Sequence, residues 1–431
     1  GGGGNTVYYP YATTSGGWYN YIYAYSAAIV GGSGNYAYSS WGFVGGGVAN
    51  KVYFAQSTVV GGYANVALSY QGVIGGGYTN VIYYADHGFI NGGYSNLIYD
   101  YDDSTIGGGT NNYVYGAAGV VIGGDGNTAT GATSYMTIGG GHDNYVAAYV
   151  GTISGGDSNT VEGGASTING GQANYVSSYA SVVGGGTGNS VTGNYGTIRG
   201  GYAHAVGTAG YATVAGGYSN TATGYANIIG GGKSNAASAY YSTVGGGNSN
   251  AASKYATILG GSSNAAASPY TSVGGGDSNR ANGYGAVVTG GYSNTAKGTY
   301  TTVTGGNSNT ITGTTYSVIV GGLDNFVVDA TYSAVTGGVS NGVDDGDWST
   351  VSGGNANTID GSHYSTIAGG DSNFVDANKG MSVFVLFVIS LIMSMILKLK
   401  DVVLVVIVAT DDLVLLFFII DLLCWCVTSS S

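Results

Sequence analysis

The sequence predicts an all-β protein: a parallel β-solenoid of about 25 coils with a repeat of 15 to 16 residues. Three observations carry this. The phrase [Val/Ile]-x-Gly-Gly-x-x-Asn recurs from Asn35 to Asn373, and the Gly-Gly-x-x-Asn part extends back to Asn20 and Asn5. Glycine is abundant, at 85 of 431 residues, whereas proline occurs only twice, so glycine-rich corners fit and a collagen repeat does not. Between the glycine pairs lie short β-branched segments, each too small to fold alone.

The elements of one coil can be justified in order on Tyr255 to Pro269. Side chains alternate along a strand, so Ala256 and Ile258 face inward, while Tyr255, Thr257 and Leu259 face outward. Gly260 and Gly261 turn the chain, and Asn264 follows as the anchor. A second short strand and a variable corner complete the turn, which leaves room for only a few small apolar groups inside. The anchors, among them Asn220, Asn235, Asn250, Asn264, Asn279, Asn294 and Asn309, are expected to point inward and stack as an amide ladder. His204 occupies one anchor slot, and a neutral imidazole also offers one donor and one acceptor.

Register varies along the chain. Steps between anchors are mainly 15 residues as far as Asn309 and 16 beyond it, and the extra residue is assigned to the corner after the Asn. The first third is richer in tyrosine and less regular outside the anchor phrase. These features define a repeat domain over 1–375 and a hydrophobic segment over 376–431. In the latter, Met381 to Leu397 is apolar apart from three serines, Lys398 and Lys400 follow, and a second apolar run reaches Val427. A membrane anchor and a helical stalk are both compatible with that pattern.

Charged residues make up 7% of the chain and its net charge is −12. With nine Lys and Arg in all, clustered phosphate neutralisation is not available, so nucleic acid is not expected as a partner. Cys424 and Cys426 lie in the tail, leaving the repeats without thiols.

Lines such as YATVAGGYSNTATG, YSTVGGGNSNAAS and YTSVGGGDSNRANG resemble the head repeats of trimeric autotransporter adhesins, of the YadA-like and haemagglutinin type. The resemblance spans roughly residues 1 to 375. It implies a left-handed parallel β-roll, a homotrimer packed about a threefold axis, and an extracellular, cell-surface location. An argument from surface area agrees with the trimer: a single narrow coil buries little apolar area against its ordering entropy.

No catalytic, cofactor or metal residues are assigned. His87, His142, His204 and His363 fall in different coils without a second His at ligand spacing. Phrases such as GGDGN superficially resemble calcium-binding glycine-rich repeats, but Asp recurs in only some coils. GGGKSN around Lys233 lacks the spacing and the helix of a phosphate loop. The feature that goes beyond scaffold is an aromatic column three residues before the inward aliphatic: Tyr195, Tyr211, Tyr241, Tyr255, Tyr270, Tyr300, Tyr316, Tyr332, Trp348 and Tyr364, with Tyr225 and Tyr284 displaced by one. Strand alternation turns it outward, as a stacking ladder, an intersubunit seam or a contact strip for a host or matrix glycan or protein. The expected function is a non-enzymatic adhesin or surface fibre. The alternative is a filament subunit with no external ligand, and ice binding ranks behind both.

Overall fold

The computed structural model describes residues 1–131 and 135–376; the apolar tail, with Lys398, Lys400 and both cysteines, lies outside the described residues. Every regular element among the described residues is a short strand. The chain divides into two compact units, Gly1–Gly246 and Gly247–Ser431.

In the first unit each coil supplies two strands, as in Thr160–Val161 and Thr167–Ile168. Each pairs in parallel with its counterpart one repeat on: Thr160 aligns with Tyr175 and Thr167 with Val182. Backbone groups that a two-residue strand cannot satisfy itself are completed by the next coil, the Thr160 N–H donating to the Asn174 carbonyl at 2.8 Å. A third parallel pairing joins single residues after the glycine pair, such as His142 to Asp157 and Asp157 to Gln172. The two-strand reading does not anticipate this third side of the coil.

The second unit repeats the plan from Ala251–Ala252 to Phe374–Asp376, with Asp277, Tyr292 and Asn307 in the single-residue pairing. Ala256 and Ile258 are fully buried, and Leu259 is exposed, as alternation requires. In the 16-residue coils the first strand grows from two residues, Thr295–Ala296, to three, as in Thr310–Thr312 and Phe326–Val328. The added residue therefore falls between the two strands, and the anchor spacing behind the second strand is untouched.

Each coil turns on left-handed backbone, and much of it is not glycine. Gly261, at φ 88°, is obligatory: a Cβ there would strike the Gly276 carbonyl and the Asn264 amide. Ser263 just before the anchor has φ 56°, and Tyr255 ahead of the second strand has φ 55°. These two corner slots recur with Ser, Ala, Tyr or Asp in them, although a side chain there is normally disfavoured.

Candidate contact surface

The anchor asparagines build the scaffold beneath the surface. Asn220, Asn235, Asn250, Asn264, Asn279, Asn294 and Asn309 are all buried. Asn279 shows the pattern: its backbone N–H donates to Asn264 Oδ1 at 3.0 Å, and its Nδ2 donates to the Gly275 and Gly291 carbonyls at 2.9 and 2.8 Å. The Asn294 N–H then donates to Asn279 Oδ1 at 3.0 Å. The expected amide-to-amide contact is present in many coils, as from Asn159 Nδ2 to Asn144 Oδ1 at 3.1 Å and from Asn174 Nδ2 to Asn159 Oδ1 at 3.0 Å, and beside it the carbonyl oxygen receives a backbone N–H and the amide nitrogen ties down glycine carbonyls. Asn294 and Asn309 also make the direct amide contact, at 3.2 and 3.1 Å. His204 joins only in part: its Nδ1 accepts the Asn220 N–H at 3.0 Å, while buried Nε2 has no partner. Burial pushes the His204 pKa below its ordinary value, opposed by the backbone of Gly217 and Asn220.

A second polar ladder escapes the sequence reading. In the second unit Ser317, Ser333, Ser349 and Ser365 are buried immediately before the second strand. The Ser333 N–H donates to Ser317 Oγ at 3.1 Å, and the Ser349 N–H to Ser333 Oγ at 3.1 Å. The hydroxyls of Ser317, Ser333 and Ser349 also donate onward to the next coil, as Ser349 Oγ does to the Ser362 carbonyl at 2.8 Å. Ala256, Ala286 and Thr271 fill the same slot elsewhere, so no fixed residue type marks it.

The aromatic residues stand directly before this slot. Tyr195, Tyr211 and Tyr241 in the first unit, and Tyr255, Tyr270, Tyr300, Tyr316, Tyr332, Trp348 and Tyr364 in the second, are exposed. All ten have positive φ, between 53° and 60°. They thus leave the coil from a left-handed corner rather than from the outward face of a strand, which corrects the alternation argument. In the second unit Tyr300, Tyr316 and Tyr332 stack with centroids 5.4 and 5.1 Å apart and planes within 9°. Tyr332 to Trp348 is closer, at 4.2 Å, and Tyr255 to Tyr270 lies at 4.9 Å. Tyr195 and Tyr211 form the corresponding pair in the first unit, at 4.7 Å. Tyr225 and Tyr284 precede the left-handed residues Ala226 and Gly285, and their rings turn edge-on to their neighbours. A stacked ring covers its neighbour's face, so the files offer outward mainly ring edges and phenol oxygens.

Two further sets of rings lie on other sides of the first unit. Tyr63, Tyr78 and Tyr94 stack at 4.8 and 5.2 Å from the single-residue pairing, where GGYAN, GGYTN and GGYSN carried the signal in the sequence. Near the start, Tyr8, Tyr23, Tyr38 and Tyr53 form one file beside Tyr21 and Tyr36. Among the described residues, Lys51 rests over Tyr36, Lys233 over Tyr218 and Lys254 over Tyr255.

Titratable groups are scattered along the coils. His142 Nδ1 lies 3.0 Å from Asp157 Oδ1, and that contact, with Asp143 and Asp125 nearby, raises the His142 pKa. The same hydrogen bond holds Asp157 below the ordinary carboxyl value. Asp344 is raised by burial and then by Asp360, Asp329 and Asp345. The corner acids also serve the backbone: Asp86 Oδ1 accepts the Tyr70 N–H at 3.1 Å, and Asp102 Oδ1 the Asp86 N–H at 2.9 Å. Among the described residues, no group of three or more His, Cys, Asp or Glu is placed to hold a metal ion.

Fold and surface together define a parallel β-solenoid repeat protein of about 25 coils. Comparison with protein-family models gives no match, and comparison with curated proteins gives none either.

Proposed function

We propose that the chain is an extracellular, non-enzymatic adhesin head of the YadA-like type, working as a homotrimer that holds repetitive aromatic surface against a host or matrix partner. The observation that carries this reading is the file of exposed rings at one corner of the second unit, Tyr255 to Tyr364, on a scaffold whose buried polar groups are engaged in its own ladders. Edges and phenol oxygens repeating at about the strand spacing suit a partner that is itself repetitive and rich in hydroxyl or amide groups. The scarcity of charge favours contacts through aromatic and polar uncharged groups.

One triple variant tests the role of the file. Changing Tyr255, Tyr270 and Tyr300 to Ser is expected to abolish attachment to cells or matrix while sizing shows an unchanged oligomer. Loss of the oligomer would instead assign the file to an intersubunit seam, at roughly 150 to 250 Å² of burial per ring. An intact oligomer with undiminished attachment would overturn the contact role.

A further inference from the structure

The first coils hold six tyrosines in two adjoining files, an arrangement that neither a contact strip nor a single stacking ladder requires. Tyr21 and Tyr36 leave the outward positions of the strands Tyr21–Ile22 and Tyr36–Ala37, which pair in register. Tyr23 and Tyr38 follow the same strands, with Tyr8 and Tyr53 in line on either side. Along the files the centroids are 4.6 Å (Tyr8 to Tyr23), 5.3 Å (Tyr23 to Tyr38), 4.7 Å (Tyr38 to Tyr53) and 5.0 Å (Tyr21 to Tyr36). Across the files, Tyr21 lies 6.3 Å from Tyr23 and Tyr36 5.6 Å from Tyr38, and all these rings are within 15° of parallel with their neighbours. Tyr8, Tyr23 and Tyr38 are exposed, so a diffusing oxidant reaches the cluster.

We propose that this cluster is a site of oxidative tyrosine coupling, at which a dityrosine bond staples one coil to the next. The oxidant is hydrogen peroxide acting through a haem peroxidase. Two phenols each give up one electron and one proton, and the two phenoxyl radicals join through a new carbon–carbon bond between ring carbons ortho to oxygen. The hydrogens on those carbons move to the phenol oxygens as the rings regain aromaticity, and the peroxide takes up the two electrons and two protons as two waters. Each link therefore removes two hydrogens from the chain. Two structural features favour the site. Partners are held at contact distance by strand register, so the coupling is intramolecular and outpaces collisions between chains. Each ring in the middle of the cluster also has neighbours along and across the files, so a radical formed on an exposed member finds a second phenol whichever way it moves. No described residue is a cysteine, so within the repeats a covalent bond between coils has no disulfide route.

The test is to treat the full chain with peroxidase and peroxide at low protein concentration, weigh it intact, and sequence the cross-linked fragments by mass spectrometry. The expected result is loss of two hydrogens per link, at a rate independent of protein concentration. The first links should join residues of neighbouring coils within the set Tyr8, Tyr21, Tyr23, Tyr36, Tyr38 and Tyr53, with a yield about tenfold above that of the urea-unfolded chain treated alike. A variant with Tyr21, Tyr23, Tyr36 and Tyr38 changed to Phe keeps the stacks but lacks the phenols, and should lose these links while its circular dichroism is unchanged. Links that first appear elsewhere, links only between chains, or equal yields from folded and unfolded protein would each overturn the proposal.

Discussion

A single asparagine carries more of the structure than its size suggests. Replacing Asn279 by Leu would orphan the Asn294 N–H and release the Gly275 carbonyl, while the Gly291 carbonyl would keep the Asp277 N–H. At about 1 to 3 kcal/mol for each buried polar group left unpaired, Asn279→Leu should lower the unfolding midpoint sharply, while outward Thr257→Ser barely moves it. Equal midpoints in a denaturant titration would refute the buried ladder. His204 gives a pH dependence with a definite sign. Its pKa in the folded chain is depressed, so below the unfolded value near 6.5 the unfolded chain takes up a proton that the folded chain refuses. Stability should therefore fall as pH drops below about 6.5, and His204→Asn should remove that part of the loss. His142 acts in the opposite sense, because its raised pKa gives stability that is present in acid and lost as pH rises. The comparison with His204→Asn isolates the buried residue, and identical slopes for the two proteins would sink the assignment.

At the scale of the element, the corner matters more than the strand. Ser278 is half-buried, and its φ is 60°. Strand propensity would favour Val at this position, but a β-branched side chain suits left-handed backbone poorly. Ser278→Val should cost about 1 to 3 kcal/mol, and Ser278→Gly should be close to neutral, as read from thermal midpoints. Stabilisation by Val would contradict the corner geometry. The same geometry separates what the sequence discloses from what it hides. Val or Ile, the glycine pair and the Asn recur by identity, so Ile258, Gly261 and Asn264 mark core, turn and ladder directly. The Ser317 to Ser365 ladder is hidden because Ala and Thr also fit its slot in other coils. The left-handed tyrosines are hidden for a different reason: a bulky aromatic at positive φ runs against local preference, and the corner imposes that φ on whatever residue fills the slot, Gln56 and Ala180 included, through a backbone hydrogen bond to the preceding coil such as Tyr300 N–H to the Tyr284 carbonyl. Exposure of Tyr300 and Tyr316 follows from the sequence, whereas the way their faces cover each other depends on ring orientation, which spacing does not encode.

Over the whole molecule the core is uneven. In the first unit the inward residues of the first strands include Ile82, Ile98 and Val114, but by Ala222 and Ala237 they have shrunk. In the second unit Ala252, Ala266, Ala281 and Ala296 continue small, and Ile311 and Val327 restore bulk. Replacing a buried Ile by Ala forgoes roughly 2 kcal/mol of apolar burial per coil. Solenoid stability is approximately a sum over repeats and their interfaces, so the alanine coils should open first. Amide hydrogen exchange is expected to be faster at Ala266, Ala281 and Ala296 than at Ile82, Ile98 and Val114. Uniform protection across these positions would show that the narrower coils are compensated elsewhere.

The anchor's bonds also bear on how such a chain is inherited. Asn279 binds carbonyls of its own coil and of the next, and its oxygen receives the Asn294 N–H, so each coil offers its successor the same set of partners that it took from its predecessor. A duplication or loss of one whole repeat, such as 280–294, presents matching partners at both new junctions. A loss of half that length leaves an anchor facing the wrong side of its neighbour. Gene length can therefore change in whole periods with little penalty, and the distance between any two surface features can be reset without remaking either of them.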